Sequence, residues 1–137
     1  LIILGDGSLR NELEKLLIDL KLNEHVKMKG YVKNPLKYFS RADVFALPSY
    51  VEGMPNVLIE AMMAGCTPVS TSCETGPKEI LSGGKYGYLV PIKNPQALCD
   101  GLLKAINNPI SKNILSEAVK PFQEDIVIKK HFKHLGI

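Results

Sequence analysis

Residues 48–61 read PSYVEGMPNVLIEA, and the interpretation of the chain starts from this stretch. It contains two carboxylates, Glu52 and Glu60, with seven residues between them. Gly53 lies between them, and the residues from Pro55 onward have the apolar spacing of a helix start. A carboxylate at each end of an otherwise apolar segment indicates a polar ligand.

The composition is that of an ordinary globular domain. The chain has 137 residues, enough for one domain with a hydrophobic core. Apolar residues make up 45% and charged residues 23% of it, and no stretch reaches the ~18 consecutive apolar residues of a membrane span. The net charge of +3 is too small and too scattered for a nucleic-acid-binding surface, so we expect no nucleic-acid partner.

Cysteine usage and one basic cluster bear on the compartment in which the protein works. Cys66, Cys73 and Cys99 lack the spacing of metal ligands and are odd in number, so we expect three small hydrophobic side chains in a reducing cytoplasm. Residues 129–134 read KKHFKH, the densest basic cluster. We interpret it as a solvated helix face, and the alternative is a weak peripheral contact with the anionic cytoplasmic face of a membrane.

Strand and helix patterns alternate along the chain. Short apolar runs predict strands at residues 1–4, 26–29, 43–47, 67–70 and 88–90. Helix starts are predicted at Ser8 (as N-cap), Pro35, Pro55, Pro77 and Pro95 (capped by Asn94), with two further helices over 111–122 and 124–134. This order predicts an α/β fold, a Rossmann-like doubly wound parallel sheet. Because residues 1–4 resemble the inside of a buried strand, we expect a piece of a longer protein.

This topology predicts which loops lie at the ligand-binding edge of the sheet. Ligands of doubly wound folds bind at the carboxyl ends of the strands, where the loops 5–8, 30–34, 48–56 and 71–77 are predicted to lie. The residues from 48 to 56 are therefore placed at the functional edge by topology alone.

The first helix is predicted to bury one face, formed by Leu9, Leu13, Leu16, Leu17 and Leu20.

The predicted helix start between the two carboxylates is suited to an anion. If Pro55 is the first helical residue, Met54 is the N-cap, and methionine has no side-chain acceptor for the amides of Asn56 and Val57. These free N–H groups, together with the positive end of the helix dipole, form an anion site. Gly53 allows a ligand to approach the backbone closely.

A nucleoside diphosphate sugar would use all three features. One carboxylate would accept hydrogen bonds from sugar hydroxyls, the amides would bind the diphosphate, and the other carboxylate would bind the ribose diol. One alternative is that Asn56 is itself the N-cap and both glutamates are surface residues. Another is the acid and base pair of a glycosidase, although a helix N-terminus between two acids favours an anionic ligand.

Residues 52–69, EGMPNVLIEAMMAGCTPV, closely resemble the Glu-x7-Glu signature of the retaining glycosyltransferases of family GT4. Further motifs stand in that family's order, and the resemblance covers about residues 1–107: Gly5-Asp6-Gly7, Gly30-Tyr31-Val32, Ala42-Asp43-Val44, Leu47-Pro48-Ser49 and Gly87-Tyr88-Leu89-Val90. The resemblance implies the GT-B fold of two Rossmann-like domains, with this chain as the C-terminal, donor-binding half. Family members work without a metal or another cofactor.

The resemblance also implies roles for individual residues. Glu52 matches the acid that contacts the donor sugar and assists at the reacting end, and Glu60 matches the residue that binds the ribose hydroxyls. Tyr31 and Val32 match the loop that holds the base through backbone contacts, although Tyr31 could instead be a turn aromatic that covers the core. Contacts to the sugar and diphosphate are implied for Gly53, Met54, Pro55, Asn56 and Val57.

The same resemblance predicts an incomplete enzyme. Residues 1–110 would form the donor-binding domain, truncated at its N-terminus, and residues 111–137 would be helices packing on it or on an N-terminal domain outside this chain. That domain would bind a glycan or lipid-linked acceptor, and the basic residues that hold the diphosphate would lie upstream of Leu1. We therefore expect the isolated chain to bind donor weakly and to transfer nothing.

Residues 73–80 resemble family members that build bacterial surface glycans such as lipopolysaccharide. A UDP-sugar is our first expectation for the donor, and the sequence itself fixes neither the base nor the sugar. The alternatives to a transferase are a nucleotide-sugar 2-epimerase of GT-B fold and a noncatalytic nucleotide-sugar-binding module.

Overall fold

A computed structural model describes residues 1–136 of the chain. Within these residues it contains two compact units, residues 1–35 and residues 36–136. Among the described helices, none combines the length and the hydrophobicity needed to cross a bilayer.

The first unit is a short parallel strand pair joined by one helix. Strand β1 (Ile2–Ile3) pairs with β2 (Lys27–Met28), and helix α1 (Arg10–Asp19) connects them. The predicted cap at Ser8 is wrong, because Leu9 occupies the N-cap position and no side chain caps the helix. The predicted burial of the leucine face is wrong as well, since none of the residues of α1 is buried. Two strands of two residues each offer too little apolar surface to cover a helix.

The second unit is built on a three-stranded parallel sheet. Its strands are β3 (Val44–Leu47), β4 (Thr67–Thr71) and β5 (Tyr88–Val90), with β4 in the centre. Its helices are α2 (Leu36–Phe39), α3 (Asn56–Met63), α4 (Pro77–Ile80), α5 (Pro95–Asn107), α6 (Lys112–Val119) and α7 (Glu124–Leu135). Every residue of β4 is buried, as in a parallel strand with both faces covered. The parallel α/β fold is therefore confirmed, with the five described strands divided between two sheets.

Side chains alternate between the two faces of this sheet and meet different helices. Phe45 and Leu47 pack on a core formed by α3, α4 and α6, which includes the fully buried Leu58 and Leu115. Val44, which directly precedes Phe45, faces the opposite side of the sheet and packs with Val69 and Val90 against α5. Helices thus cover both faces, so the predicted doubly wound arrangement is confirmed in this unit.

Side-chain caps explain where α5 and α6 begin, and a proline marks the start of α4. Asn94 caps α5, because its side chain accepts a hydrogen bond from the Ala97 amide at 3.0 Å. Pro77 opens α4 as predicted, whereas α2 begins at Leu36, one residue later than predicted. Helix α6 is capped by Ser111 in the same way as α5.

The cysteines do not all behave as predicted. Cys66 and Cys73 are buried, but Cys99 is exposed, because the inward side of α5 is formed by residues such as Gly101 and Ala105. The Cys66 thiol donates to the Phe39 carbonyl oxygen at 3.1 Å. Burial, followed by the nearby Asp43 carboxylate, raises the pKa of the Cys66 thiol, so this group remains neutral at physiological pH.

Gly87 tests the packing between the loop before β5 and strand β4. An added Cβ would lie 2.6 Å from Cγ of Pro68 and 2.8 Å from its carbonyl oxygen. Gly87→Ala should therefore lower the free energy of unfolding by about 1–3 kcal/mol through overpacking. Urea unfolding followed by circular dichroism measures it, since the chain contains no tryptophan.

Gly7→Ala is the control, because a Cβ there meets no heavy atom within 4 Å. It should change the free energy of unfolding by less than about 0.5 kcal/mol. Equal unfolding midpoints for the two variants would contradict the packing described for Gly87.

Candidate functional site

Two polar loops leave neighbouring strands at the carboxyl edge of the second unit's sheet. Residues 48–55 follow β3 and residues 72–76 follow β4, and the strands are in register with Leu47 opposite Ser70. The loops therefore emerge side by side, at the edge where ligands bind in this class of fold.

Helix α3 starts one residue later than predicted. Its first residue is Asn56 and its N-cap is Pro55, with an extended ψ of 90°. Both Met54 and Asn56 are therefore wrong as predicted N-caps. The Leu58 amide donates to the Pro55 carbonyl oxygen at 2.9 Å, which sets the helix start at the proline. Because no side chain of the described residues caps α3, its first amides are free for a ligand, as the sequence predicts.

Glu52 belongs to the loop after β3, is half-buried, and is held at both its side chain and its backbone. Its Oε1 accepts a hydrogen bond from the Ser49 hydroxyl at 2.5 Å, and its carbonyl oxygen accepts one from the Thr75 hydroxyl at 2.7 Å. Within residues 1–136, no cation lies within salt-bridge distance of this carboxylate. Glu52 can therefore accept further hydrogen bonds from a ligand.

Glu60 lies on the same side of α3 as the first helical residue. The buried side of the helix carries Leu58, Ala61 and Met62, whereas Glu60 is half-buried and Asn56 is exposed. Positions four residues apart share a helix face, and four residues span roughly 6 Å of helix axis. Glu60 and Asn56 thus lie on one side of the helix, with the free amides at the start of that helix.

The remaining predicted residues of this stretch differ in accessibility. Gly53 and Met54 are exposed, with Met54 52% accessible, and Val57 is half-buried. Pro55 is buried, so it supports the loop from beneath. Tyr50 is also exposed, and the Lys93 ammonium lies 5.7 Å from its ring centroid in a cation–π contact.

The predicted base-binding residues belong to the first unit. Tyr31 is 81% exposed, so the alternative that it covers the core is wrong, and Val32 is half-buried. Both follow Gly30, whose carbonyl oxygen accepts a hydrogen bond from the Gly5 amide at 2.8 Å. Arg10 lies beneath this turn and donates to the Met28 carbonyl oxygen at 3.3 Å. The assignment of the base to Tyr31 and Val32 stays a prediction.

Sequence reasoning did not single out the residues that hold Glu52 in place. The loop after β4 supplies Thr75 and Gly76, and Thr71 at the end of that strand lies beneath Ser49. The run of small polar residues in this loop was the available signal, because it is placed at the same edge as Glu52.

A parallel sheet with an uncapped helix start and two accessible carboxylates at its carboxyl edge is the arrangement of a Rossmann-like, ligand-binding domain. The family model described as "Glycosyl transferases group 1" matches residues 1–121, so the chain belongs to this family.

Similar proteins agree with this family. The chain is 32% identical over 139 residues to a Campylobacter jejuni protein named N-acetylgalactosamine-N,N'-diacetylbacillosaminyl-diphospho-undecaprenol 4-alpha-N-acetylgalactosaminyltransferase, covering 98% of this chain and 38% of that protein. It is 46% identical over 102 residues to an uncharacterized glycosyltransferase of Methanocaldococcus jannaschii, covering 65% of this chain and 25% of that one. The chain therefore spans about a quarter to two fifths of the length of these relatives.

Solved structures support the fold. A crystal structure of a variant of TarM from S. aureus, in complex with Fondaparinux, alpha-GlcNAc-glycerol and UDP, matches with a TM-score of 0.77 and 28% identity, covering 87% of this chain and 24% of that chain. Neighbours of this kind are glycosyltransferases of GT-B fold, so the predicted GT-B class is confirmed.

Replacement of Gly76 tests the contact between the loop after β3 and the loop after β4. Its φ is +82°, and an added Cβ would lie 2.0 Å from the Gly53 carbonyl oxygen and 2.7 Å from Cδ of Pro55. Gly76→Ala should lower the free energy of unfolding by about 2–4 kcal/mol, and urea unfolding measures it.

Gly83→Ala separates the stability lost through a steric clash from the stability lost through a positive φ alone. Gly83 also has a positive φ, +68°, but a Cβ there meets no heavy atom within 4 Å. Its replacement should cost about 1 kcal/mol. If both variants lose the same stability, the close contact between Gly76 and Gly53 is contradicted.

Proposed function

We propose that this chain is the donor-binding domain of a retaining, metal-independent glycosyltransferase that takes its sugar from a nucleoside diphosphate sugar. The observation that carries the proposal is the uncapped start of α3 between Glu52 and Glu60. A UDP-sugar is the first expectation, and the TarM structure, which contains UDP, supports it.

The three parts of such a donor match three parts of the site. The sugar hydroxyls would donate to Glu52, and the diphosphate would accept from the amides of Asn56 and Val57. The ribose hydroxyls would donate to Glu60, on the same side of the helix as these amides. Gly53 and Met54 would line the path between sugar and diphosphate, and Val57 would lie beneath it.

The chemistry of transfer depends on the diphosphate as leaving group. Negative charge develops on it as the bond to the anomeric carbon breaks, and the free amides and helix dipole would stabilise this charge without a metal. Cationic side chains would add to this effect, and the proposal assumes that they lie outside residues 1–137. The three histidines, His25, His131 and His134, are exposed, and we assign none of them as a general base.

The acceptor is proposed to be a glycan or a lipid-linked glycan of a surface polysaccharide, bound mainly by an N-terminal domain. The names of two Campylobacter jejuni relatives, which are transferases acting on undecaprenol-linked glycans, support this class. They favour transfer over the 2-epimerase and over a noncatalytic module. With such an acceptor, the reaction would take place at the cytoplasmic face of the membrane.

Replacement of Glu60 tests the ribose assignment. Hydrogen bonds to a charged group contribute about 1.5–3 kcal/mol, so Glu60→Ala should weaken UDP binding roughly 10- to 100-fold in calorimetric titration. Wild-type protein should bind 2′-deoxy-UDP more weakly than UDP, and Glu60→Ala should lose this preference.

Glu124→Ala, which removes an exposed glutamate from α7, is the matched control and should bind UDP like the wild type. A Glu60→Ala protein that keeps both its UDP affinity and its preference for the 2′-hydroxyl would contradict the assignment.

The isolated residues 1–137 provide a separate test. They should bind UDP-sugars weakly and transfer no sugar, because they lack the upstream cations and the acceptor-binding domain that the proposal requires. Radiolabelled transfer assays with a UDP-sugar and a lipid-linked acceptor measure this, with the full-length polypeptide as reference. Turnover by residues 1–137 alone would refute the proposal that the donor and the acceptor are bound by separate domains.

A further inference from the structure

Side chains at the end of β4 are hydrogen-bonded to the backbone of the loop that carries Glu52. The Thr71 hydroxyl is buried, with the residue 4% exposed, and lies within hydrogen-bond distance of the carbonyl oxygens of Ser49 and Leu47. The Cys73 thiol, also buried, donates to the Ser49 carbonyl oxygen at 3.4 Å. The backbone of Ser49 is therefore fixed from the buried side.

The side chain of Ser49 in turn contacts the Glu52 carboxylate. A serine hydroxyl has one proton to donate, and here it is given to Oε1 of Glu52 at 2.5 Å. This contact restricts rotation of the carboxylate and leaves its second oxygen for a ligand. Thr75 holds the carbonyl oxygen of the same residue, so neither end of Glu52 is free to reorient.

From this network we infer that Ser49 is a positioning residue, through which the end of β4 sets the direction of the Glu52 carboxylate toward the sugar of the donor. The inference rests on the proposed function, in which Glu52 is the sugar contact. A carboxylate already held in its binding geometry loses less rotational freedom when the sugar arrives. Ser49 should therefore affect affinity for the sugar and leave affinity for the nucleotide unchanged.

The experiment compares UDP with UDP-glucose and UDP-N-acetylglucosamine by calorimetric titration of the full-length polypeptide. Ser49→Ala should weaken binding of the preferred UDP-sugar about tenfold while changing UDP affinity by less than about twofold. Ser49→Thr, which keeps the hydroxyl, should restore most of the loss. Ser116→Ala, which removes an exposed hydroxyl from α6, should bind both ligands like the wild type.

A double-mutant cycle shows whether Ser49 affects UDP-sugar affinity through Glu52. If Ser49 acts through Glu52, adding Ser49→Ala to a Glu52→Ala protein should cause no further loss of UDP-sugar affinity. Additive losses would overturn the inference. So would an unchanged ratio of UDP-sugar to UDP affinity in Ser49→Ala, or an equal loss for both ligands, which marks a purely structural role. A wild-type protein that binds neither UDP nor UDP-sugar would overturn the proposed function itself.

Discussion

The close approach of Gly76 to the Gly53 carbonyl oxygen is the contact on which the candidate site depends. No residue with a side chain fits at position 76, because a Cβ would lie 2.0 Å from that oxygen. The approach brings the loop after β4 against the loop after β3, close enough for the Thr75 hydroxyl to reach the Glu52 carbonyl oxygen. A buried central strand therefore determines the geometry of a carboxylate that lies on its neighbour's loop.

The class of the fold and the placement of the site could be predicted from sequence because their signals are local. Alternating apolar runs identify β3, β4 and β5, and proline or asparagine marks the starts of α4 and α5. Glu52 and Glu60 are separated by the end of one loop and the first turn of one helix. Their positions on either side of the helix start can therefore be predicted without tertiary information. The order of the elements then places both of them at the carboxyl edge.

The features that could not be predicted depend on contacts between distant residues. Nothing local distinguishes Thr75 and Gly76 from an ordinary polar turn, and the short distance between Gly76 and Gly53 arises only when β4 pairs with β3. The sequence pattern predicts the start of α3 one residue too early, because a proline suits either the last position before a helix or the first one within it. The leucines of α1 keep their helical period, but two short strands cannot bury them.

The contact of Lys93 with Tyr50 lies on the outer side of the loop that carries Glu52. Tyr50 lies in the tightly held loop after β3, yet its own side chain is exposed, and Lys93 reaches it from the loop that follows β5. Insertions in residues 72–76 would separate the loop after β4 from the loop after β3. Substitutions at Tyr50 or Lys93 would leave the contacts between these two loops intact. In this protein, the backbone geometry of the loop after β3 and the chemistry of its outer surface can therefore be changed independently of each other.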